Sequence, residues 1–261
     1  MSTFTHESLR AMRRIGHVTP SCNTALEPLC CAIAPPALGV SHHFSRLGVR
    51  AIALAPDELA QFEAEPMVAA ARSLTDAHVH AIAWNGTSGS WTGLEQDEAI
   101  CAAISAELAV PATTTTLAIV EAVRASGLGR IAIATPYTAD VNERIVATYA
   151  AAGVEVVASA GLGIVDGAEM AYPGMDEMRA LLRAADHPDA QAIAVVCTGM
   201  PAAVLADELE RELGKPLLDS IAVTVWKALA LVGVDCAIGG WGALLRGELG
   251  AASATGGGVP A

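Results

Sequence analysis

The chain contains a weak internal duplication, and this feature constrains its fold more than any other. Three short segments recur in the same order about 110 residues later. The matching pairs are Val18–Ser21 with Ala134–Tyr137, Ala81–Thr87 with Ala192–Thr198, and Leu108–Pro111 with Leu213–Pro216. Because the order is kept, we predict two similar lobes at residues 15–115 and 116–240, with tails at 1–14 and 249–261, the second of them disordered.

Each predicted lobe alternates short apolar strands with longer helical stretches. The predicted strands are Ile15–Thr19, Val40–Phe44, Ala81–Trp84, Ile131–Thr135, Val154–Ala158 and Ala192–Val196. The predicted helices are Thr24–Ile33, Pro56–Thr75, Leu94–Glu107, Thr115–Ala125, Ala139–Ala152, Asp176–Ala185 and Ala202–Leu213. This alternation is typical of α/β proteins with parallel sheets.

Two lobes related by pseudo-twofold symmetry would turn the carboxyl ends of corresponding strands toward one cleft. Ligands of open α/β sheets bind outside those ends. Four short turns follow predicted strands, at Thr19-Pro20, Gly86-Thr87, Thr135-Pro136 and Cys197-Thr198. The duplication therefore predicts an active site in the cleft between the lobes.

The composition excludes several classes of partner. Among 261 residues, 28 Asp+Glu outnumber 15 Lys+Arg and basic clusters are lacking, so nucleic acid is not an expected partner. Hydrophobic residues make up 53%, but the apolar stretch Ala190–Ala206 is interrupted by Gln191 and Pro201, whereas a membrane span needs about 20 apolar residues. The first residues lack a signal-peptide pattern. We expect a soluble cytoplasmic protein, whose apolar content would permit a homo-oligomer.

The cysteines and histidines do not suggest a metal site. The six cysteines show neither C-x-x-C spacing nor the cysteine–histidine spacing of zinc sites. His42 and His43 are adjacent, so their side chains would point to opposite faces of a strand. We expect reduced thiols and no bound metal.

Cys197 is the candidate for catalysis because of its position. It follows an apolar run and precedes Thr198-Gly199, which places it at a strand end before flexible backbone. Backbone N–H groups in such a turn can activate a thiol or bind an anion. A buried structural cysteine is the alternative. The duplication favours a functional thiol, because the matching position, Gly86, also begins a threonine-containing turn.

The segment Trp84–Ser90 resembles an anion-binding loop. It combines two glycines with three hydroxyl side chains, including Thr87 and Ser88, directly after a predicted strand. Such a loop presents N–H and O–H donors to a carboxylate or a phosphate. A plain polar turn is the alternative. The glycine-rich nucleotide motifs are absent, so a nucleotide is disfavoured.

Two further turns supply candidates at the cleft. The phenol of Tyr137 could donate a hydrogen bond to a developing oxyanion, or the ring could close the cleft by packing alone. In the segment Pro20–Thr24, the Asn23 amide could bind a carboxylate or could cap the following helix. The sequence leaves both pairs of alternatives open.

The residues named above resemble the aspartate/glutamate racemase superfamily, and within it the group of arylmalonate decarboxylase and maleate cis-trans isomerase. The resemblance covers roughly residues 15–235. Its most specific pieces are Gly86-Thr87-Ser88, Ala134–Tyr137 with its continuation to Arg144, Leu162-Gly163-Ile164 and Cys197-Thr198-Gly199.

The resemblance implies roles for several residues. Racemases and maleate isomerases of the superfamily carry one cysteine on each lobe, whereas this chain has Cys197 on the second lobe and Gly86 on the first, as in the decarboxylase. By that likeness, Cys197 would donate a proton. A dioxyanion hole would be formed by Thr87, Ser88 and Tyr137 with the backbone around Thr198.

The segment that begins at Pro20 departs from the decarboxylase pattern and is more similar to maleate isomerase, in which the asparagine helps to bind a carboxylate. Here that asparagine is Asn23. Thr198-Gly199 also stands where the decarboxylase pattern has two glycines. We expect Pro20, Asn23, Thr198 and Gly199 to contact a smaller, more polar substrate than an arylmalonate.

These features predict a cofactor-independent carboxy-lyase for a malonate-type dicarboxylate. One carboxylate would be lost as CO₂, and Cys197 would protonate the resulting enediolate. The retained carboxylate accepts the electrons, so no cofactor is required. Three alternatives remain: a maleate isomerase, an amino-acid or hydantoin-type racemase, and a non-catalytic dicarboxylate-binding protein. The first two ordinarily need a second thiol, which Cys22 could provide only if the Pro20 turn points its sulfur into the cleft.

The facing lobes also predict the effect of a thiol placed at position 86. If Gly86 and Cys197 face opposite sides of a planar enediolate, a cysteine at 86 would protonate the side that Cys197 does not reach. The product of such a variant would lose enantiomeric purity.

Overall fold

The computed structural model describes residues 5–235, 237–251 and 256 of the chain. The described strands are β1 (Arg13–Pro20), β2 (Val40–Leu47), β3 (Ala81–Trp84), β4 (Ala112–Thr114), β5 (Arg130–Thr135), β6 (Glu155–Gly161), β7 (Ala192–Val195) and β8 (Leu217–Asp219). They form two four-stranded sheets, with the orders β2-β1-β3-β4 and β6-β5-β7-β8. Every pairing between neighbouring strands of these sheets is parallel.

Helices connect the strands within each lobe. They are α1 (His6–Ala11), α2 (Leu26–Ile33), α3 (Pro56–Ala60), α4 (Ala64–Thr75), α5 (Gly89–Thr92), α6 (Leu94–Leu108), α7 (Thr115–Ala125), α8 (Ala139–Ala151), α9 (Met175–Ala185), α10 (Ala206–Leu213) and α11 (Ser220–Leu231). Short 3-10 turns lie at Pro36–Leu38, Glu169–Ala171 and Ala202–Leu205. None of the helices in the described part of the chain has the length and apolarity needed to cross a bilayer.

The two sheets have the same topology. Reading β5 to β8 as the counterparts of β1 to β4, the order β6-β5-β7-β8 repeats the order β2-β1-β3-β4 strand by strand. The α/β fold of two parallel-sheet lobes, predicted from the duplication, is confirmed. Because the first sheet lies within 13–114 and the second within 130–219, we propose lobe bounds of 15–115 and 116–240.

The last strand of each sheet runs directly into a buried helix. Thr114 ends β4, and its hydroxyl accepts a hydrogen bond from the backbone N–H of Leu117 in α7. Asp219 ends β8, and its carboxylate accepts bonds from two N–H groups of α11. Helices α7 and α11 pack against each other. A buried ion pair joins them, with 2.8 Å between Lys227 Nζ and Glu121 Oε2.

The sequence analysis did not predict α1, α5, β4 and β8, and it gave no bounds for α11, the helix that follows Pro216. The two strands have three residues each, which is too short for an alternation pattern to show. Eleven of the twelve residues of α11 are buried, so this helix lacks the polar face by which an amphipathic helix is recognised.

Two predicted helices have different bounds in the structure. The helix predicted over Pro56–Thr75 is divided into α3 and α4 by residues 61–63, which place the buried Phe62 beside the cleft. The helix predicted over Ala202–Leu213 begins as a 3-10 turn. Most of the predicted tail 249–261 lies outside the described residues.

Candidate active site

One cavity lies where the carboxyl ends of the two sheets face each other. The turns after β1, β3, β5 and β7 all contribute to its wall, as the duplication predicts. The nine residues predicted to form the site all line it, and they are Pro20, Asn23, Gly86, Thr87, Ser88, Tyr137, Cys197, Thr198 and Gly199. The remaining wall is largely apolar and includes Val49, Ile52, Phe62, Trp91 and Met170.

Loops from both lobes close the cavity. The backbone N–H of Ile52 donates to the carbonyl of Val165 at 3.0 Å, and that of Gly167 donates to the carbonyl of Arg50 at 2.8 Å. These bonds join a first-lobe segment to a second-lobe segment. The sequence pattern gave no signal for this part of the wall, because its residues lie in loops without periodicity.

Cys197 lies two residues after the end of β7 and is 2% exposed. Its Sγ accepts a hydrogen bond from the backbone N–H of Gly199 at 3.3 Å, and the Cys197 N–H donates to Ser220 Oγ at 3.1 Å. Burial raises the pKa of the thiol, and hydrogen bonds from Tyr137 and from the turn offset only part of this effect. Cys197 is therefore a protonated thiol at neutral pH, which suits a proton donor.

Thr87 and Tyr137 connect the two lobes across the cavity. The Thr87 and Tyr137 hydroxyl oxygens are 2.9 Å apart. The phenol also interacts with the thiol of Cys197, and burial raises the pKa of Tyr137 well above its usual value. The ring packs edge-on against Trp91, with 5.2 Å between centroids. Tyr137 is thus both packed and hydrogen-bonded, and its phenol stays protonated at neutral pH.

Asn23 combines the two interpretations that the sequence left open. Its Oδ1 accepts hydrogen bonds from the N–H groups of Ala25 and Leu26 at the start of α2. Its Nδ2 donates to the carbonyl of Thr198 at 2.9 Å and lies 3.2 Å from Thr198 Oγ1. Since a carboxylate only accepts hydrogen bonds, a substrate carboxylate would have to replace one of the Nδ2 bonds to Thr198.

The indole of Trp84 fills the space beside Gly86. A Cβ atom at position 86 would lie 2.2 Å from Trp84 Cζ2 and 2.5 Å from Cε2, far inside van der Waals contact. Trp84 is fully buried and lines the cavity. A thiol at position 86 would therefore require the ring of Trp84 to move, because the ring occupies the place of that side chain.

Cys22 is the first-lobe thiol in the cavity wall. It follows β1, is partly buried, and lines the cavity together with Cys197. Its sulfur lies beside Gly167, where an added Cβ would be 2.5 Å from Sγ. Burial raises the pKa of Cys22, so this thiol is also protonated at neutral pH.

A chain of hydrogen bonds behind the site was missed by the sequence analysis. His42 Nε2 donates to the carbonyl of Ala34 at 2.9 Å, so a neutral His42 accepts at Nδ1. His17 Nε2 then donates to that nitrogen at 2.8 Å, and His17 Nδ1 accepts from Asn85 Nδ2 at 3.1 Å. The backbone carbonyl of Asn85 in turn accepts from Thr198 Oγ1. A histidine inside the apolar strand β1 was the available signal.

This chain predicts a dependence of stability on pH. Burial lowers the pKa of His17 to about 3, so below about pH 6.5 the unfolded state binds a proton that the folded state does not. The stability that His17 contributes is complete above pH 6.5 and is lost as the pH falls toward 3. We expect the unfolding free energy of the wild type, relative to a His17→Asn variant, to fall by about 2 kcal/mol between pH 6.5 and 5.

Urea denaturation of both proteins at the two pH values measures this difference. The comparison with His17→Asn cancels the contributions of the titrating groups that do not contact His17, and His42, which does contact it, belongs to the effect that is measured. An unchanged difference between pH 6.5 and 5 would show that His17 titrates in the folded state as it does in the unfolded state.

Comparison with known proteins identifies the family. A family model described as arylmalonate decarboxylase matches residues 28–245. The chain belongs to the arylmalonate decarboxylase family. Arylmalonate decarboxylase of Bordetella bronchiseptica is 32% identical over 172 residues, which cover 65% of this chain and 72% of that protein.

Relatives with a second activity are also similar to this member of the arylmalonate decarboxylase family. Maleate isomerase of Nocardia farcinica is 26% identical over 242 residues, which cover 90% of this chain and 96% of that protein. The structure of the Nocardia farcinica maleate cis-trans isomerase bound to TRIS superimposes with a TM-score of 0.84 at 26% identity, and covers 91% of this chain and 99% of that chain. The named relatives are enzymes, and they catalyse two different reactions.

Proposed function

We propose that this protein is a cofactor-independent decarboxylase of a malonate-type dicarboxylate. The observation that carries the proposal is the indole of Trp84 beside Gly86. A two-thiol mechanism needs one cysteine at each of the matching strand ends. At the first of these ends the indole leaves no room for a cysteine side chain. A single proton donor, Cys197, is what a decarboxylase requires.

In the proposed reaction, hydroxyl groups hold one carboxylate of the substrate. Thr87, Ser88 and Tyr137 are buried donors that line one cavity. Each donor aimed at developing negative charge lowers the barrier by about 3 kcal/mol. The second carboxylate would lie against the apolar wall formed by Val49, Ile52, Phe62 and Trp91, where it is poorly solvated and its loss as CO₂ is favoured.

The carbon–carbon bond breaks with its electron pair left on the substrate, which becomes an enediolate. The hydroxyl groups that held the carboxylate now hold the two enediolate oxygens, where they bind more strongly because the charge is greater. The Cys197 thiol transfers its proton to the carbanionic carbon. The product is a monocarboxylate, and the Cys197 thiolate regains a proton from water.

Maleate isomerisation is the second candidate, because Cys22 places a thiol of the first lobe in the cavity wall. Cys22 follows β1, whereas the position that matches Cys197 follows β3. A reaction that uses both thiols would therefore need a substrate oriented between β1 and β7.

Two assays on the purified protein distinguish the candidates. Malonates that carry a small alkyl group and either an aryl or a small polar substituent are incubated with the enzyme, and CO₂ release is measured. Maleate is incubated separately, and fumarate is measured by its absorbance. CO₂ release that is lost in Cys197→Ala supports the proposal. Fumarate formation without CO₂ release contradicts it and supports isomerisation, and absence of both reactions supports a binding protein.

A further inference from the structure

The indole N–H of Trp84 donates a hydrogen bond to the hydroxyl of Ser88. The distance from Trp84 Nε1 to Ser88 Oγ is 3.2 Å. Trp84 is fully buried, Ser88 is 1% exposed, and both line the cavity. Three residues lie between them, and the middle one is Gly86, whose missing side chain leaves room for the indole.

This bond determines whether the Ser88 hydroxyl donates or accepts a hydrogen bond toward a ligand. An indole N–H is only a donor, so the Ser88 oxygen must be the acceptor. The Ser88 hydroxyl proton has no acceptor among the described residues. It is therefore free to point at a ligand in the cavity, while the indole occupies one of the oxygen lone pairs.

We propose that Trp84 is a positioning residue, which orients and polarises the Ser88 hydroxyl as a donor to the enediolate oxygens. A hydroxyl that accepts one hydrogen bond becomes a stronger donor of another, and this cooperativity is greatest in a buried site. The inference rests on the proposed function, because the enediolate is the species with the largest charge at Ser88.

A double-mutant cycle tests the role of Trp84. The variants are Trp84→Phe, which keeps an aromatic ring and removes the N–H, Ser88→Ala, and the combination of both. With Ser88 present, Trp84→Phe should lower kcat about 10-fold with little change in KM, as expected for one lost hydrogen bond. With Ser88→Ala, the same substitution should change kcat less than about 2-fold, because its target is gone.

The stability control is Trp226→Phe, which makes the same substitution in the buried helix α11 outside the cavity. Melting curves of Trp226→Phe and Trp84→Phe show how much of the effect comes from loss of packing. Equal losses of kcat in the two Ser88 backgrounds would overturn the proposal, since a purely structural role does not depend on Ser88. So would unchanged kcat in Trp84→Phe.

The same cycle can be measured without turnover. Benzylphosphonate is a phosphonate anion that cannot lose CO₂, and its dissociation constant by calorimetry reports on the donors of the site. Trp84→Phe should weaken its binding about 5-fold with Ser88 present and leave it unchanged in Ser88→Ala. If the wild type releases no CO₂, the proposed decarboxylation fails, and the binding cycle alone then decides the role of Trp84. Wild-type turnover without coupling in either cycle overturns only the role of Trp84.

Discussion

Replacing Cys197 by alanine should lower kcat for CO₂ release by at least about 10³-fold, which is the scale of a lost general acid. The thiol is the proton donor of the proposed reaction, and it is 2% exposed, so water cannot easily take its place. The fold should be retained, because alanine is smaller than cysteine and the backbone N–H of Cys197 keeps its bond to Ser220.

Steady-state rates and circular dichroism on the purified variant measure the two parts of this prediction. Cys31→Ala is the matched control, because Cys31 is an exposed cysteine in α2 and its loss should leave kcat unchanged. Wild-type turnover by Cys197→Ala would remove this thiol from the mechanism. A folded but inactive Cys197→Ser variant would strengthen its role as an acid, because the hydroxyl is a far weaker acid than the thiol.

The main features of the fold could be predicted because they come from a duplication that survives in the sequence. The matches between Val18–Ser21 and Ala134–Tyr137 and between Ala81–Thr87 and Ala192–Thr198 place four strand ends at equivalent positions of two lobes. The structure brings these ends to one cavity. Ligands bind outside the carboxyl ends of the strands in a parallel sheet, so the site residues could be predicted from their positions alone.

What could not be predicted depends on contacts between residues distant in sequence. The bond between Thr87 and Tyr137 crosses from one lobe to the other, and the apolar cavity wall comes from loops that have no periodic pattern. The orientation of the Trp84 indole could not be predicted either. A tryptophan at the end of an apolar strand is expected in the core, and nothing in the sequence shows that the ring turns back over Gly86.

Because the Trp84 indole lies over Gly86, the expected effect of Gly86→Cys differs from the effect predicted from the sequence. A side chain at position 86 would overlap the buried indole ring, with its Cβ 2.2 Å from Trp84 Cζ2. Relieving such overpacking commonly costs about 1–3 kcal/mol, and here the ring is fully enclosed. We expect Gly86→Cys to lower the unfolding free energy by about 3 kcal/mol and to lower kcat at least about 100-fold, because the displaced indole disturbs Ser88.

Gly48→Cys is the matched control for the loss of stability in Gly86→Cys, because a Cβ at Gly48 would meet no atom within 4 Å. Urea denaturation of the two variants compares the same substitution in a filled and in an open environment. Equal stability of the two variants would show that Trp84 yields its place without cost. The indole would then be no barrier to a second thiol at position 86, and Trp84 would no longer exclude a two-thiol reaction.

Removing the indole should restore room for the thiol. In Trp84→Ala/Gly86→Cys, the new side chain occupies part of the space that the ring leaves, so the loss of stability should be smaller than the combined losses of the single variants.

The thiol then faces the cavity from the first lobe, with Cys197 on the second. Chiral chromatography of the product should show a loss of enantiomeric purity in this variant, because either face of the planar enediolate now meets a proton donor. The variant can recover its stability and still make a product of full enantiomeric purity only if positions 86 and 197 reach the same face of the substrate. This result would refute the facing arrangement of the two lobes around the substrate.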